Sequence, residues 1–323
     1  MDNNKPGMSV IVPFFNEEKA IPIFCNTLDE YVKGLPFAVE FVFVNDGSTD
    51  CSLEILKNYL FKNISDIKII SLSKNFGFHP AVRAGISQAR FEYCTWFGVD
   101  LQEPLEILPI SFTKLHDEKC EAVYFEKKTI KISRANRMFS KIYSYLMQKY
   151  AVKTYSTDGT ATIAFGPQIK KLLNENIESN SSLMLQILDF GFKYDRISLN
   201  YLERSIGNSK WSLSKKMKLF IDSFVAFSFM PIRLVSIIGI LIFIIGFLIG
   251  LFTIVNRIIN PYVPSGYSTL ASIMALGFGI TNISLGIIAE YLWRTYDAAR
   301  KRPVFIIDSI FDVRESREIE HDR

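Results

Sequence analysis

The sequence predicts an α/β domain with an open, mostly parallel sheet, followed by two membrane-spanning helices. Two observations carry this prediction. Through roughly the first hundred residues, short apolar runs alternate with stretches of helical spacing, which is typical of parallel strands joined by helices. Towards the C-terminal end, two long stretches contain no charged side chain, as expected of helices that cross a membrane. A chain of 323 residues has room for both parts.

Four strands and three helices account for the predicted α/β domain. Each strand is an apolar, β-branched run, the pattern of a parallel strand buried on both faces. These runs are residues 8–14, 39–44, 67–72 and 93–97. The segments that follow the first three runs have helical spacing. They are residues 16–34, 52–60 and 80–90.

Polar side chains follow three of these strands at the point where each strand ends. Asn16 and Glu17 follow the first strand, Asp46 follows the second, and Asp100 and Gln102 follow the fourth. Ligands of open parallel sheets bind at this edge. A carboxylate and an amide two residues apart are hard oxygen ligands, which suit Mg²⁺ or Mn²⁺ bridging a diphosphate. Asp46 taken alone is more often part of an Asx turn or a helix cap, and its position among the other strand-end residues is what favours a binding role.

The two uncharged stretches are residues 234–255 and 268–289, and each is long enough to cross a ~30 Å hydrocarbon core. Two buried core helices are the alternative. Positive charges flank the pair on the outside, whereas the connector contains only Arg257. The positive-inside rule therefore places both termini in the cytoplasm, and the pair is expected to be a multi-pass anchor in the cell inner (plasma) membrane.

These features divide the chain into four parts. Residues 1–208 are expected to form the cytoplasmic domain, 209–231 an amphipathic helix in the membrane interface, 232–292 the two-helix anchor and 293–323 a cytoplasmic tail. The segment 134–150 has a similar mixture of basic and aromatic residues, and it reads either as a second interfacial helix or as an ordinary surface helix. The N-terminus shows no cleavable secretion signal.

Composition excludes several other classes of protein. The net charge of +4 is too small to argue for a nucleic-acid partner, and no motif for one is present. The cysteines form no CxxC pair, so a zinc site or a disulfide framework is not expected. They are Cys25, Cys51, Cys94 and Cys120.

Several segments together resemble glycosyltransferase family 2. The segments are VIVPFFNEE (10–18), VFVNDGSTD (42–50), LSKNFG (72–77), VDLQEP (99–104), RSIGNSKW (204–211) and AEYLWRTYDAARKRPVFII (289–307). More narrowly, they resemble the branch of bactoprenol glucosyltransferases and dolichol-phosphate mannose synthases. The resemblance implies a GT-A fold, in which a Rossmann-like, mostly parallel sheet carries the site, and two C-terminal transmembrane helices.

The resemblance also implies roles for individual residues. Pro13, Phe15, Glu17 and Asp46 would hold the base and ribose, in a donor site that also includes Gly98 and Val99. Asp100 and Gln102 would hold Mg²⁺ or Mn²⁺. Arg204 and Lys210 would meet donor and acceptor phosphates, with Lys127 and Arg134 as further basic residues. Asp158 would orient the sugar or the acceptor. A generic anchor for anionic lipids is the alternative reading of Arg204, Lys210 and Trp211.

Two positions depart from the family pattern. The family has an aspartate where this chain has Gly98, so one carboxylate of the expected metal motif is missing. Related enzymes also carry a Gly-Asp-Phe-Arg stretch where this chain has residues 156–165; Asp158 supplies an acid there, but the arginine is absent. The sequence therefore does not specify the sugar.

The reaction implied by the resemblance is inverting transfer of one sugar from a nucleotide sugar, UDP being favoured, to polyprenyl (undecaprenyl) phosphate at the cytoplasmic membrane face. The product would be a lipid-linked sugar for cell-envelope glycosylation, such as O-antigen modification. Its expected partners are membrane lipids, a flippase and a downstream lumenal or periplasmic glycosyltransferase. The Gly- and Ser-rich second span suits a homo-oligomer as well as packing against the first span.

Three other interpretations were weighed. A processive polysaccharide synthase would carry a Gln-x-x-Arg-Trp motif, which is absent. A soluble nucleotidyltransferase would have a glycine-rich loop and no paired spans. A non-catalytic membrane protein that binds a nucleotide sugar or a lipid phosphate is kept open by Gly98.

Overall fold

The computed structural model describes residues 6–127, 160–178, 182–201 and 266–312, with short helical pieces at 144–145, at 148–149 and between 235 and 259. The expected interfacial helix at 209–231 lies outside the described residues, and so does most of the segment 134–150.

Among the described residues, eight strands form one sheet in the order β7-β5-β6-β4-β1-β2-β3-β8. The strands are β1 (Gly7–Phe14), β2 (Ala38–Asn45), β3 (Ile67–Leu72), β4 (Tyr93–Trp96), β5 (Ala122–Lys127), β6 (Thr160–Phe165), β7 (Tyr194–Leu199) and β8 (Ile307–Asp312). The four predicted strands are β1 to β4, each within one residue of its predicted bounds. They pair in parallel at the centre of the sheet, which confirms the predicted mostly parallel architecture.

Seven helices have defined bounds among the described residues, and the first six cover the two faces of the sheet. They are α1 (Ile21–Val32), α2 (Ser52–Lys57), α3 (Phe78–Gln88), α4 (Ile107–Phe112), α5 (Pro167–Glu175), α6 (Leu183–Asp189) and α7 (Tyr267–Ala299), with a π-helical turn, Thr113–Asp117, after α4. The first helix begins later than predicted. The chain leaves β1 through a turn in which Asn16 has a φ of 52°, and Pro22 then stands in the first turn of α1, where a missing N–H is tolerated.

Two apolar clusters sandwich the sheet. One lies under α1 and α4 and includes Phe24, Leu28 and Phe43; the other lies under α3, α5 and α6. Gly85 shows how closely α3 approaches β1, because a Cβ atom at this position would lie 2.4 Å from Cγ2 of Ile11. The central strands are thus fixed from both sides, and their carboxyl ends form a rigid edge.

The C-terminal segment returns to this sheet. Strand β8 pairs antiparallel with β3, and the N–H of Ser73 donates to the carbonyl oxygen of Ile306 at 3.0 Å. Phe305 and Ile307 pack against the cluster under α3. The sequence did not predict this strand, since a short segment of mixed polarity acquires its structure here from pairing with a distant part of the chain.

The second expected span, residues 268–289, falls within α7. Large apolar side chains on this helix are exposed, among them Phe278 at 65% and Leu285 at 56%. Within the described part of the chain, no helix has both the length and the apolar character needed to cross a membrane.

Candidate active site

The strand register brings most of the described candidate residues to one edge. Strand β1 lies between β2 and β4, parallel to both, with Phe14 opposite Asn45 and Ile11 opposite Trp96. The loops that leave the carboxyl ends of these three strands therefore begin side by side. They contain the candidates Glu17, Asp46, Asp100 and Gln102.

The loops after β1 and β2 are hydrogen bonded to each other. The N–H of Asn16 donates to Oγ of Ser48 at 3.0 Å, and the N–H of Thr49 donates to Oδ1 of Asn16 at 2.8 Å. The N–H of Glu17 donates to Oγ of Ser52 at 2.8 Å. This arrangement leaves Glu17 half-buried at the rim and holds the two loops as one unit. Sequence reasoning singled out the acidic residues and missed the serine and asparagine contacts that position them.

Asp46 is buried and fixes a third loop. Its carboxylate oxygens accept from the N–H groups of Phe76 at 2.7 Å and Gly77 at 2.9 Å, in the loop between β3 and α3. Burial raises the pKa of Asp46, and the two hydrogen bonds lower it in part. The neighbouring Gly47, with a φ of 67°, passes so close to this loop that a Cβ would lie 2.5 Å from the carbonyl carbon of Lys74. Asp46 thus joins two loops of the site.

The loop after β4 carries the candidate metal motif. Asp100, Gln102 and Glu103 are half-buried, whereas Val99 is buried. Oδ1 of Asp100 accepts from the N–H of Gln102 at 3.4 Å, and Oε2 of Glu103 accepts from the N–H of Gly98 at 3.3 Å. The non-glycine Leu101 has a φ of 52°, which marks a tight turn between the two acids.

The donor set of this loop fits a hard divalent cation. Two carboxylates and one amide supply oxygen atoms of the kind that Mg²⁺ and Mn²⁺ prefer. In the part of the chain that the structure describes, no cluster of three or more His, Cys, Asp or Glu side chains has metal-site geometry. A cation held by Asp100 and Gln102 would therefore depend on further oxygen atoms, and a nucleotide diphosphate offers them.

Sequence reasoning did not single out Glu103, which belongs to the same loop, or Tyr201. Burial raises the pKa of Tyr201, the nearby hydroxyl of Thr162 on β6 lowers it, and the carboxylate of Glu103 raises it further. Tyr201 packs against the apolar cluster that includes Phe97 and Val99.

The remaining predicted residues divide into three groups. Pro13 is buried in β1, and Phe15 is half-buried at the start of the next loop. Lys127 ends β5, and only its backbone is described. The other predicted residues lie outside the described residues: Arg134, Asp158, Arg204 and Lys210.

His79, which follows the loop fixed by Asp46, stays uncharged at neutral pH. Burial, followed by the positive charge of Arg83, lowers its pKa to about 4. Its Nδ1 is buried and has no hydrogen-bond partner among the described residues. A cationic contact between this ring and a phosphate is therefore not expected near neutral pH.

Comparison with known proteins assigns the chain to a family. The profile of glycosyl transferase family 2 matches residues 9–174. A prophage bactoprenol glucosyl transferase homolog of Escherichia coli (strain K12) is 31% identical over 94% of this chain and 99% of its own length. The undecaprenyl-phosphate 4-deoxy-4-formamido-L-arabinose transferase of Photorhabdus laumondii is 27% identical over 94% of each chain. Among solved structures, the mannosyltransferase PcManGT from Pyrobaculum calidifontis, in complex with GDP-Man and Mn²⁺, is 15% identical, with a TM-score of 0.46 over 91% of this chain and 88% of that one. The fold is GT-A-like, and the chain belongs to glycosyltransferase family 2 and is a glycosyltransferase.

Proposed function

We propose that this enzyme transfers one sugar from a nucleotide sugar to a polyprenyl phosphate, of which undecaprenyl phosphate is the expected example. The observation that carries the proposal is similarity along almost the whole chain to two transferases, one named for bactoprenol and the other for undecaprenyl phosphate. Each alignment covers 94% of this chain, so the similarity extends beyond residues 9–174, which match the family profile.

The donor is assigned to the edge built from the loops after β1, β2 and β4. Pro13, Phe15, Glu17 and Asp46 would surround the base and ribose, and Gly98 and Val99 would lie along the donor. Asp100 and Gln102 would hold Mg²⁺ or Mn²⁺, which when bound would neutralise charge on the leaving diphosphate. UDP is the proposed nucleotide. The half-buried position of the acidic loop supports this assignment, since ligands there are partly shielded from water.

The acceptor requires little proton transfer. A phosphate monoester is already anionic near pH 7, so the enzyme would act mainly by positioning it and by neutralising charge. Arg204 and Lys210 would bind phosphates, with Lys127 and Arg134 as further cations and Asp158 as the group that orients sugar or acceptor. A single in-line displacement would invert the anomeric carbon.

The apolar C-terminal part is assigned to a membrane. The uncharged stretches 234–255 and 268–289 would be the two spans, and the basic flanks would face the cytoplasm. Strand β8 supports this topology. The chain leaves the sheet after β7 and returns to the same sheet as β8, so any membrane segments between them must cross an even number of times.

A binding-only role is the second candidate, and Gly98 is the observation that favours it. Both candidates are tested by incubating the purified, detergent-solubilised protein with undecaprenyl phosphate, Mg²⁺ or Mn²⁺ and a panel of nucleotide sugars, with mass spectrometry of the lipids. The proposal expects addition of a single sugar that EDTA abolishes. A correctly folded protein that binds a nucleotide but forms no product with any donor would support the binding-only role.

A further inference from the structure

Gly98 stands at the start of the acidic loop, and its backbone gives no reason for a glycine. Its φ lies outside the left-handed region that L-residues avoid. A Cβ built on Gly98 would meet only side-chain atoms: Oδ1 and Cγ of Asp100 at 3.1 and 3.7 Å, and Oε2 of Glu103 at 3.6 Å. Both neighbours can rotate. Neither backbone conformation nor packing against main chain therefore requires a glycine at this position.

The same distances locate two carboxylates around the space that a side chain at position 98 would occupy. An oxygen of Asp100 and an oxygen of Glu103 both lie within 4 Å of that one point. The hydrogen bond from the N–H of Gly98 holds the Glu103 carboxylate there. The negative charge that an acidic residue at position 98 would bring is thus supplied from position 103, five residues along the chain.

We infer that Glu103 is the second carboxylate of the cation site, in place of an acidic side chain at position 98. The inference rests on the proposed function, because it takes the donor to be a complex of a nucleotide with a divalent cation. Asp100, Gln102 and Glu103 then present two carboxylates and one amide, a set of hard oxygen donors that suits Mg²⁺ or Mn²⁺. Gly98 is accommodated because Glu103 reaches the same space.

The hydrogen bond to the N–H of Gly98 also restricts the motion of the Glu103 carboxylate, and Glu103 itself is half-buried. A carboxylate held in this way loses less side-chain entropy on binding a cation than an exposed glutamate does.

The test measures cation binding directly. The full-length protein in detergent is titrated with Mn²⁺ in the presence of UDP or GDP, and free Mn²⁺ is followed by electron paramagnetic resonance. Glu103→Gln keeps an oxygen that can accept from Gly98 but removes the charge, so a purely structural role predicts unchanged Mn²⁺ affinity. The inference predicts binding that is weaker by about 10-fold or more. Glu106→Gln is the matched control, because Glu106 is an exposed acid of the same loop and is expected to leave the affinity unchanged.

A rescue variant makes the test specific. Gly98→Asp combined with Glu103→Gln is expected to restore Mn²⁺ affinity to within about 3-fold of the wild type. This double variant has a carboxylate at position 98 in place of the one removed from position 103. Equal affinity of Glu103→Gln and Glu106→Gln would overturn the inference and leave the proposed function standing. A wild-type protein that leaves Mn²⁺ free with either nucleotide would overturn the inference as well. The lipid-product assay then decides whether sugar transfer proceeds without a cation.

Discussion

Leu28 and Leu285 are the same residue in the same type of secondary structure, yet Leu28 in α1 is fully buried and Leu285 in α7 is 56% exposed. The contrast extends to the regions around them. The domain built on β1 to β7 buries its large apolar side chains between sheet and helices, whereas α7 presents Phe278, Ile288 and Leu292 outwards. Burial of large apolar side chains is the main favourable contribution to folding. The comparison indicates that, among the described residues, the domain is stabilised by its own core and that α7 contributes little to that core.

The largest expected effect is a loss of activity when the proposed metal ligand Asp100 is replaced. Asp100→Ala is expected to lower kcat for lipid glycosylation on the order of 10³-fold, because it removes a ligand that the proposed charge stabilisation requires. The unfolding temperature is expected to change little, since Asp100 is only half-buried. Product formation is measured by mass spectrometry, with Glu106→Ala as the control in the same loop. Activity within a few-fold of the wild type would show that the site lies elsewhere.

The next effect is on stability, and it tests directly whether α1 and α7 differ in their contribution to the core. Leu28→Ala is expected to lower the free energy of unfolding by about 2–5 kcal/mol, because it leaves a cavity in the core under α1. Leu285→Ala is expected to change the unfolding of the domain by less than about 0.5 kcal/mol. Chemical denaturation in detergent, followed by far-UV circular dichroism, measures both. Similar losses from the two variants would mean that α7 belongs to the cooperative core.

A smaller effect on stability, accompanied by a loss of nucleotide affinity, is expected when the buried Asp46 is replaced. Asp46→Ala removes the acceptor for the N–H groups of Phe76 and Gly77. Because both residues are only half-buried, water can partly replace the acceptor, and we expect a total loss of about 1–3 kcal/mol. Nucleotide affinity should fall along with stability, because the loop after β3 loses its anchor. Asp46→Asn keeps one acceptor oxygen and should lose less of both quantities. Thermal unfolding and isothermal titration with UDP measure the two effects, and equal behaviour of the two variants would contradict this role.

The smallest effect is a dependence of stability on pH. The folded pKa of His79 is about 4, below its ordinary value of 6.5, so the unfolded chain binds more protons between these values. The contribution of His79 is therefore fully present above pH 6.5 and is lost as the pH falls towards 4. His79→Gln should show a shallower loss over this range in denaturation experiments. Parallel pH profiles for the two proteins would rule out His79 as the cause.

The sequence predicted the central sheet and the edge that carries the site for clear physical reasons. Runs such as residues 8–14 and 39–44 are largely apolar, with Ser9 and Glu40 as exceptions, because β1 and β2 are buried on both faces, and this pattern is local. Asp46 and Asp100 could be predicted as candidates because each comes shortly after the end of a strand. The proximity of the Glu103 carboxylate to Gly98 was not predicted, because it depends on a turn at Leu101 that is not evident from the sequence.

The C-terminal region shows the limits of the same approach. The pattern of residues 268–289 predicted a helix that crosses a membrane. The helix is present, since α7 contains all of these residues, but no described helix has the length and apolar character of a membrane span. Strand β8 escaped prediction because its pairing with β3 joins segments that are more than 200 residues apart, and no local signal encodes such a contact. The assignments of Arg204, Lys210 and Asp158 remain proposals.

The measurement that tests the central claim most directly is release of nucleoside diphosphate by the purified protein, with and without undecaprenyl phosphate, alongside the amount of glycosylated lipid. The account predicts that release requires the lipid and that one nucleotide is released per lipid-linked sugar. Release at the same rate without the lipid, or lipid products that carry several sugars, would contradict it.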